Sequence, residues 1–194
     1  MRGLGRKLSS FFLDIIQTIV LALSIFVIIY LFFLQPHQVR GNSMYPNFKN
    51  DEFLLTDKIS YRFHPPKRGD VIIVKAPPSE PCAEEECEYI KRIVGLPGET
   101  VMVKEGSLFI DDKQLSEDYL SAEIKTRSGS FLMEGIPYIL GEDEYLIFGD
   151  NRFYSRDGRE FGPVKREAII GRAWLRYWPV SVVGFIPKAE FSVN

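Results

Sequence analysis

The chain has 194 residues, room for one membrane segment and one compact domain. Its 24 basic and 26 acidic residues leave a formal net charge of -2, which argues against the strongly basic face that nucleic-acid binding requires. Hydrophobic residues make up 45%, an ordinary globular share, yet part of it is concentrated near the N-terminus.

Residues 15–34, IIQTIVLALSIFVIIYLFFL, carry no charge. As a helix they rise about 1.5 Å per residue and reach roughly 30 Å, the thickness of a hydrocarbon core. A removable secretory signal has a shorter apolar region and ends in an A-x-A-like site. Here the run is long, and QPHQVRGN follows it. A permanent anchor over 14–35 is therefore expected, with the lipid bilayer as a partner. Arg2, Arg6 and Lys7 precede the run and only Arg40 and Lys49 follow closely. The positive-inside bias places residues 1–13 in the cytoplasm and 36–194 outside. Asp14 and Gln17 sit near the inner edge, where polar side chains snorkel.

Beyond the anchor, GNSMYPNF (41–48) opens a series of strand-like runs: 52–59, 70–77, 88–95, TVMVK and SLFID on either side of a Glu105-Gly106 hairpin turn, 143–150 and 169–178. Turn residues are dense between them, and one short helix is weighed at LSEDYLSAE (115–123). The outer domain is thus expected to be mainly β, a sandwich or barrel-like sheet. Cys82 and Cys87 are the only cysteines and lie in an acidic, Pro-containing loop. On the oxidising side of a membrane they are candidates for a disulfide, with two free thiols as the alternative. Trp174, Tyr177 and Trp178 suit either the membrane interface or the core.

A serine hydroxyl attacks a carbonyl only when a base takes its proton. The chain has two histidines, His37 at the membrane exit and His64 ahead of two prolines, and neither context favours a base. Lysine serves when burial depresses its pKa. Lys91 shares one strand face with Tyr89 and Ile93, an apolar setting, although a lysine snorkelling from a half-buried strand would read the same way. The stretch GDNRFYSRDGREFG (149–162) is either a polar turn or a brace built on an Asp–Arg pair.

Taken together these stretches resemble the bacterial type I signal peptidases, Ser/Lys endopeptidases that remove signal sequences. The family's Ser-Met-x-Pro stands at Ser43-Met44-Tyr45-Pro46, and its Lys-Arg…Gly-x-Pro-Gly-acid runs from Lys91-Arg92 to Gly95-Leu96-Pro97-Gly98-Glu99. Its Gly-Asp-Asn…Ser-x-Asp-x-Arg runs from Gly149-Asp150-Asn151 to Ser155-Arg156-Asp157-Gly158-Arg159, and Arg-Gly-Asp-Val stands at 68–71. The resemblance implies two antiparallel β-sheets, with a small non-catalytic β lobe at 98–141 between catalytic parts at 36–97 and 142–194. It implies Ser43 as nucleophile and Lys91 as general base. Ser155 would hydrogen-bond the lysine, and Asp157 and Arg159 would brace the site. Val39, Met44, Tyr89 and Ile90 would line the pocket for the small residue before the cut. The Ser43 N–H would help hold the oxyanion, whereas the side-chain donor that many relatives carry two residues earlier is absent at Gly41. Exported preproteins cut after A-x-A-type sites would be the substrates, at the plasma membrane of a bacterium. No metal or organic cofactor is implied, since a lysine base needs neither. The rivals are a narrow-specificity Ser/Lys maturation protease and a tethered β-domain that only binds a partner.

Overall fold

The computed structural model describes residues 2–80, 87–121, 123–189 and 191–193. Helix α1 (Arg2–Phe32) contains most of the apolar run, and its segment Phe11–Ile28 has a mean hydropathy of 2.4 with no residue buried against the rest of the protein. Among the described residues it is the one helix long and apolar enough to cross a membrane. The helix stops before the expected end of the span. Leu34–Gln38 forms strand β1, and Pro36, which cannot continue a helix, is tolerated there because β1 lies at a sheet edge.

The strands that follow are β2 (Phe53–Asp57), β3 (Val71–Lys75), β4 (Glu88–Gly95), β5 (Thr100–Lys104), β6 (Ser107–Ile110), β7 (Lys113–Glu117), β8 (Tyr138–Ile139), β9 (Glu144–Phe148), β10 (Val164–Lys165), β11 (Ile169–Trp178), β12 (Gly184–Phe185) and β13 (Phe191–Val193). Two one-turn helices, α2 (Ser60–Phe63) and α3 (Gly158–Phe161), lie between them. One antiparallel sheet runs β1-β2-β11-β3-β4-β9-β10, with β12 added on β11, and a second runs β13-β7-β6-β5-β8. The fold is mainly β with two antiparallel sheets, as expected.

The turns explain the second sheet. Glu105 and Gly106 both have positive φ (51° and 80°), as do Asp111 and Asp112 (49° and 63°), the conformation that two-residue hairpins need. The first turn closes Lys104 on Ser107 and the second closes Ile110 on Lys113. That second hairpin corrects the short helix weighed at 115–123. Its first residues instead extend β7, because Leu115 buries its side chain in the core and the backbone pairs with β13. Four strands of this sheet come from residues 100–139, and the fifth, β13, comes from residues 191–193.

Three apolar clusters hold the layers. Val94, Leu146 and Phe148 of the first sheet meet Val101, Val103, Leu108 and Ile110 of the second. Ile72, Val74, Ile93 and Ile147 form another cluster with Tyr61 and Val164, and Val39, Met44, Phe48, Leu54, Val71 and Ala173 form the third. Strand β4 contributes to the first two and lends Ile90 to the third. Its residues from Lys91 onward are buried on both faces, which is why the alternation expected of a half-buried strand is missing there.

Candidate active site

Ser43 lies in the loop between β1 and β2. Backbone bonds from Val39 N–H to Glu52 C=O (2.8 Å) and from Asp51 N–H to Val39 C=O (2.9 Å) close the loop at its base. Met44 and Phe48, 1% and 2% exposed, anchor it in the third cluster. The 149–162 segment clamps it from the other side: the Asn151 N–H donates to the Ser43 carbonyl (3.0 Å) and the Asn151 amide to the Asn42 carbonyl (2.9 Å). Two short anchors and a clamp thus hold the serine with little freedom.

Lys91 projects from β4 and is 3% exposed. Its Nζ is 2.8 Å from Ser43 Oγ and 5.3 Å from the centre of the Tyr89 ring. Burial pushes its pKa down from 10.5 to about 8, against the pull of Asp157, Asp150 and Glu80, and Arg159 helps to lower it. Those two aspartates are already committed. Asp157 caps α3, accepts from the Gly149 N–H (2.9 Å) and is held by Arg159 through Nε and Nη2, both at 2.8 Å. Burial alone would raise the Asp157 pKa, but the Arg159 hydrogen bonds and charge and the Gly149 N–H outweigh it and hold the carboxyl low. Asp150 takes a two-pronged bond from Arg92 (2.8 and 2.7 Å) and a third from the Asn47 amide (2.9 Å). Each carboxylate near Lys91 therefore has its own guanidinium, so the lysine can lose its proton without leaving a bare negative charge.

Ser155 is beside the dyad, yet the bond expected to Lys91 is not made here. Among the described residues its buried Oγ has no well-aligned hydrogen-bond partner, although it lies close enough to the Asp157 carboxyl to help hold that group low, and the lysine reaches Ser43 instead. The proximity is recorded by Gly149, where an added Cβ would lie 2.1 Å from Ser155 Oγ and 2.4 Å from the Ser43 carbonyl oxygen. Gly41 has φ +83°, a conformation that a side chain strains, and its N–H donates to Asn50 Oδ1 (2.7 Å). That backbone shape suits the glycine that stands there. Tyr89 and Ile90 line a groove of about 520 Å³ that also reaches Ser43 and Lys91. Val39 and Met44 are buried in the cluster on which Ile90 packs. Asp150, Arg92, Asn47 and Gly149 have supporting positions that reading the motifs did not assign. The signal was present in Gly149-Asp150 and in the arginine directly after Lys91, but their pairing spans 58 residues. Cys82 lies outside the described residues, so its pairing with Cys87 stays a proposal.

Residues 12–178 match the family model described as signal peptidase, peptidase S26. The chain belongs to that family. A signal peptidase I from Leptolyngbya laminosa is 36% identical over 182 residues, 92% of this chain and 85% of the relative. A probable signal peptidase I-2 from Synechocystis sp. is 33% identical over 174 residues, 90% of this chain and 77% of the relative. A crystal structure of a signal peptidase I from Enterococcus faecalis V583 aligns with 30% identity and a TM-score of 0.45, covering 56% of this chain and 97% of that one. As a member of peptidase S26 the chain is a serine endopeptidase, and the matched stretch takes in the Ser43 loop, β4 and the whole 149–162 segment.

Proposed function

We propose that this signal peptidase-family chain removes signal peptides from exported preproteins with a Ser43/Lys91 dyad. The observation that carries the reading is the 2.8 Å approach of a buried lysine amine to the Ser43 hydroxyl. With Lys91 neutral, the Ser43 hydroxyl donates to Nζ and its Oγ attacks the carbonyl carbon of the scissile bond. The proton passes to Lys91, and the oxyanion is held by the Ser43 N–H. Collapse breaks the C–N bond, and Lys91 returns the proton to the departing amine nitrogen. An ester between Ser43 and the signal peptide remains. Lys91 then takes a proton from water, the hydroxide cleaves the ester, and Ser43 regains its hydrogen.

Val39, Met44, Tyr89 and Ile90 supply the apolar pocket for the residue before the cut, which suits alanine. Ser155 supports the lysine, and Asp157 with Arg159 braces the loop that carries it. The apolar α1 anchors the enzyme, with residues 1–13 in the cytoplasm and the β-domain on the outer face of a bacterial plasma membrane. Leu34–Gln38 starts directly after the helix, so the groove stays near the bilayer, where a membrane-held precursor presents its junction. A Cys82–Cys87 disulfide fits that compartment.

The test is incubation of the detergent-purified protein with a secretory precursor bearing an A-x-A junction, beside Ser43→Ala, with products read by mass spectrometry. A single cut after the junction, absent in the variant, is expected. No cut by folded wild type would overturn the reading.

A further inference from the structure

Tyr119 stands in a turn two residues after β7, a strand of the second sheet. Three parts of this residue are each taken up by a different segment of the candidate active site. Its carbonyl accepts from the amide of Asn47 (3.1 Å), which lies four residues beyond Ser43 in the same loop. Its ring faces the guanidinium of Arg92, the residue after Lys91 on β4, with the guanidinium carbon 4.2 Å from the ring centre. Its hydroxyl accepts from Arg152 Nη2 (2.9 Å) in the 149–162 segment. That hydroxyl in turn donates to Glu117, which also binds Arg152.

Each contact sits one step from the dyad. Asn47 also donates to Asp150 (2.9 Å), the carboxylate that Arg92 grips. Arg152 Nε donates to the Gly149 carbonyl (3.1 Å), and Gly149 packs against Ser155 and the Ser43 carbonyl. The 2.8 Å approach of Lys91 to Ser43 depends on the register between the Ser43 loop and β4. Sliding the loop along β4 breaks the Asn47 bond or pulls the Tyr119 ring off Arg92. Moving the 149–162 segment takes the hydroxyl away from Arg152, a buried cation that needs its partners. Burial, with the Glu117 and Asp150 carboxylates, pushes the Tyr119 pKa well above its usual value against the pull of Arg152, so the hydroxyl keeps its proton for Glu117.

We propose, resting on the Ser43/Lys91 reading above, that Tyr119 is a positioning residue: it fixes the Ser43 loop, β4 and the 149–162 segment to one another at the register in which Lys91 meets Ser43. The second sheet thus bears on the chemistry through its hold on Asn47, Arg92 and Arg152. Tyr119 also packs its ring on Phe191 of β13, with centres 5.5 Å apart. A tyrosine that only packed there would change how much enzyme folds and leave each folded molecule as fast as before. A positioning tyrosine sets the rate of the folded molecule, because a displacement of about 1 Å at the reacting groups costs on the order of 100-fold.

The experiment measures kcat and KM on the A-x-A precursor in detergent for wild type, Tyr119→Leu and Tyr119→Phe. Rates are expressed per folded molecule, with the folded fraction taken from near-ultraviolet circular dichroism below the unfolding midpoint of each variant. Tyr119→Leu is expected to lower kcat on the order of 100-fold with KM within about twofold. Tyr119→Phe keeps the ring for Arg92 and the carbonyl for Asn47 and loses the hydroxyl. It is expected to recover most of that loss and to stay about threefold to tenfold below wild type, the worth of the bond to Arg152. If Tyr119→Leu does not fold, the Tyr119→Phe rate decides. Folded variants that keep at least half of the wild-type kcat, or that change KM alone, overturn the proposal and leave the signal-peptidase reading standing. A folded wild type that does not cut overturns that reading and this inference with it.

Discussion

Lys91 sets the pH behaviour. With its pKa pushed to about 8 by burial, only a minority of molecules hold the neutral amine at pH 7. kcat/KM is expected to rise about tenfold per pH unit below that value and to level off above it, and a flat profile would exclude a lysine base. The same shift costs stability. Between the folded value of about 8 and the unfolded value of 10.5, the unfolded chain binds more protons, so stability rises with pH through that window. Lys91→Met is therefore expected to be inactive yet more stable at pH 7 by up to ~3 kcal/mol, measured by urea unfolding in detergent, with the gain vanishing near pH 11. Gly149 is the tightest position beside the dyad. A Cβ there would strike Ser155 Oγ and the Ser43 carbonyl, so Gly149→Ala is expected to displace Ser43 and lose on the order of 100-fold in kcat. Wild-type kinetics from that variant would mean that the 149–162 segment does not position the serine.

Between β9 and β10, the 149–162 segment is an element built on buried charge. Asp157–Arg159 and Asp150–Arg92 sit side by side, with all four residues at 4% exposure or less. Removing one partner of such a pair strands a buried charge, so Asp150→Ala is expected to cost about 3–5 kcal/mol in unfolding free energy. Arg159 acts on the dyad as well as on the fold. Its charge lowers the Lys91 pKa, so Arg159→Met is expected to move the activity profile toward alkaline pH rather than merely reduce its height. A profile of unchanged midpoint and lower plateau would assign Arg159 to stability alone.

At the scale of the whole molecule, the end of α1 lies near the end of β11. Burial raises the Tyr177 pKa, and Tyr30 of α1 adds to the rise. Beyond Tyr177 the chain exposes Trp178 (52%), Val180 (73%), Val183 (54%) and Phe185 (69%). These side chains are not core, which decides one half of the alternative posed for the aromatic run 174–178, although Trp174 does pack on Phe185 with ring centres 5.2 Å apart. A patch of this kind beside an apolar helix suits the headgroup layer, where tryptophan is favoured. Trp178→Ser with Phe185→Ser is expected to slow cleavage of a vesicle-inserted precursor several-fold while leaving a soluble peptide unaffected. Equal losses on both substrates would place the patch in folding instead.

The residues alone determined what depends on near neighbours. A long uncharged apolar run favours a helix of spanning length, Glu105-Gly106 favours a tight turn, and 88–95, 100–104 and 169–178 read as strands because β-branched and aromatic residues are frequent in them. The motifs named the family before any fold existed. What tertiary structure decided is everything that joins distant segments. Ser43 and Lys91 are 48 residues apart, and only the closing of β4 beside the Ser43 loop brings them to hydrogen-bond distance. The lysine's low pKa belongs to the desolvation around it, which no local window carries. β7 replaced a short helix because β13, from the far end of the chain, offered it a partner. His37, at the exit of the membrane helix, gained Glu88 as a neighbour across the groove for the same reason: hydrogen bonding and burial are settled by the other elements that the fold packs against each residue.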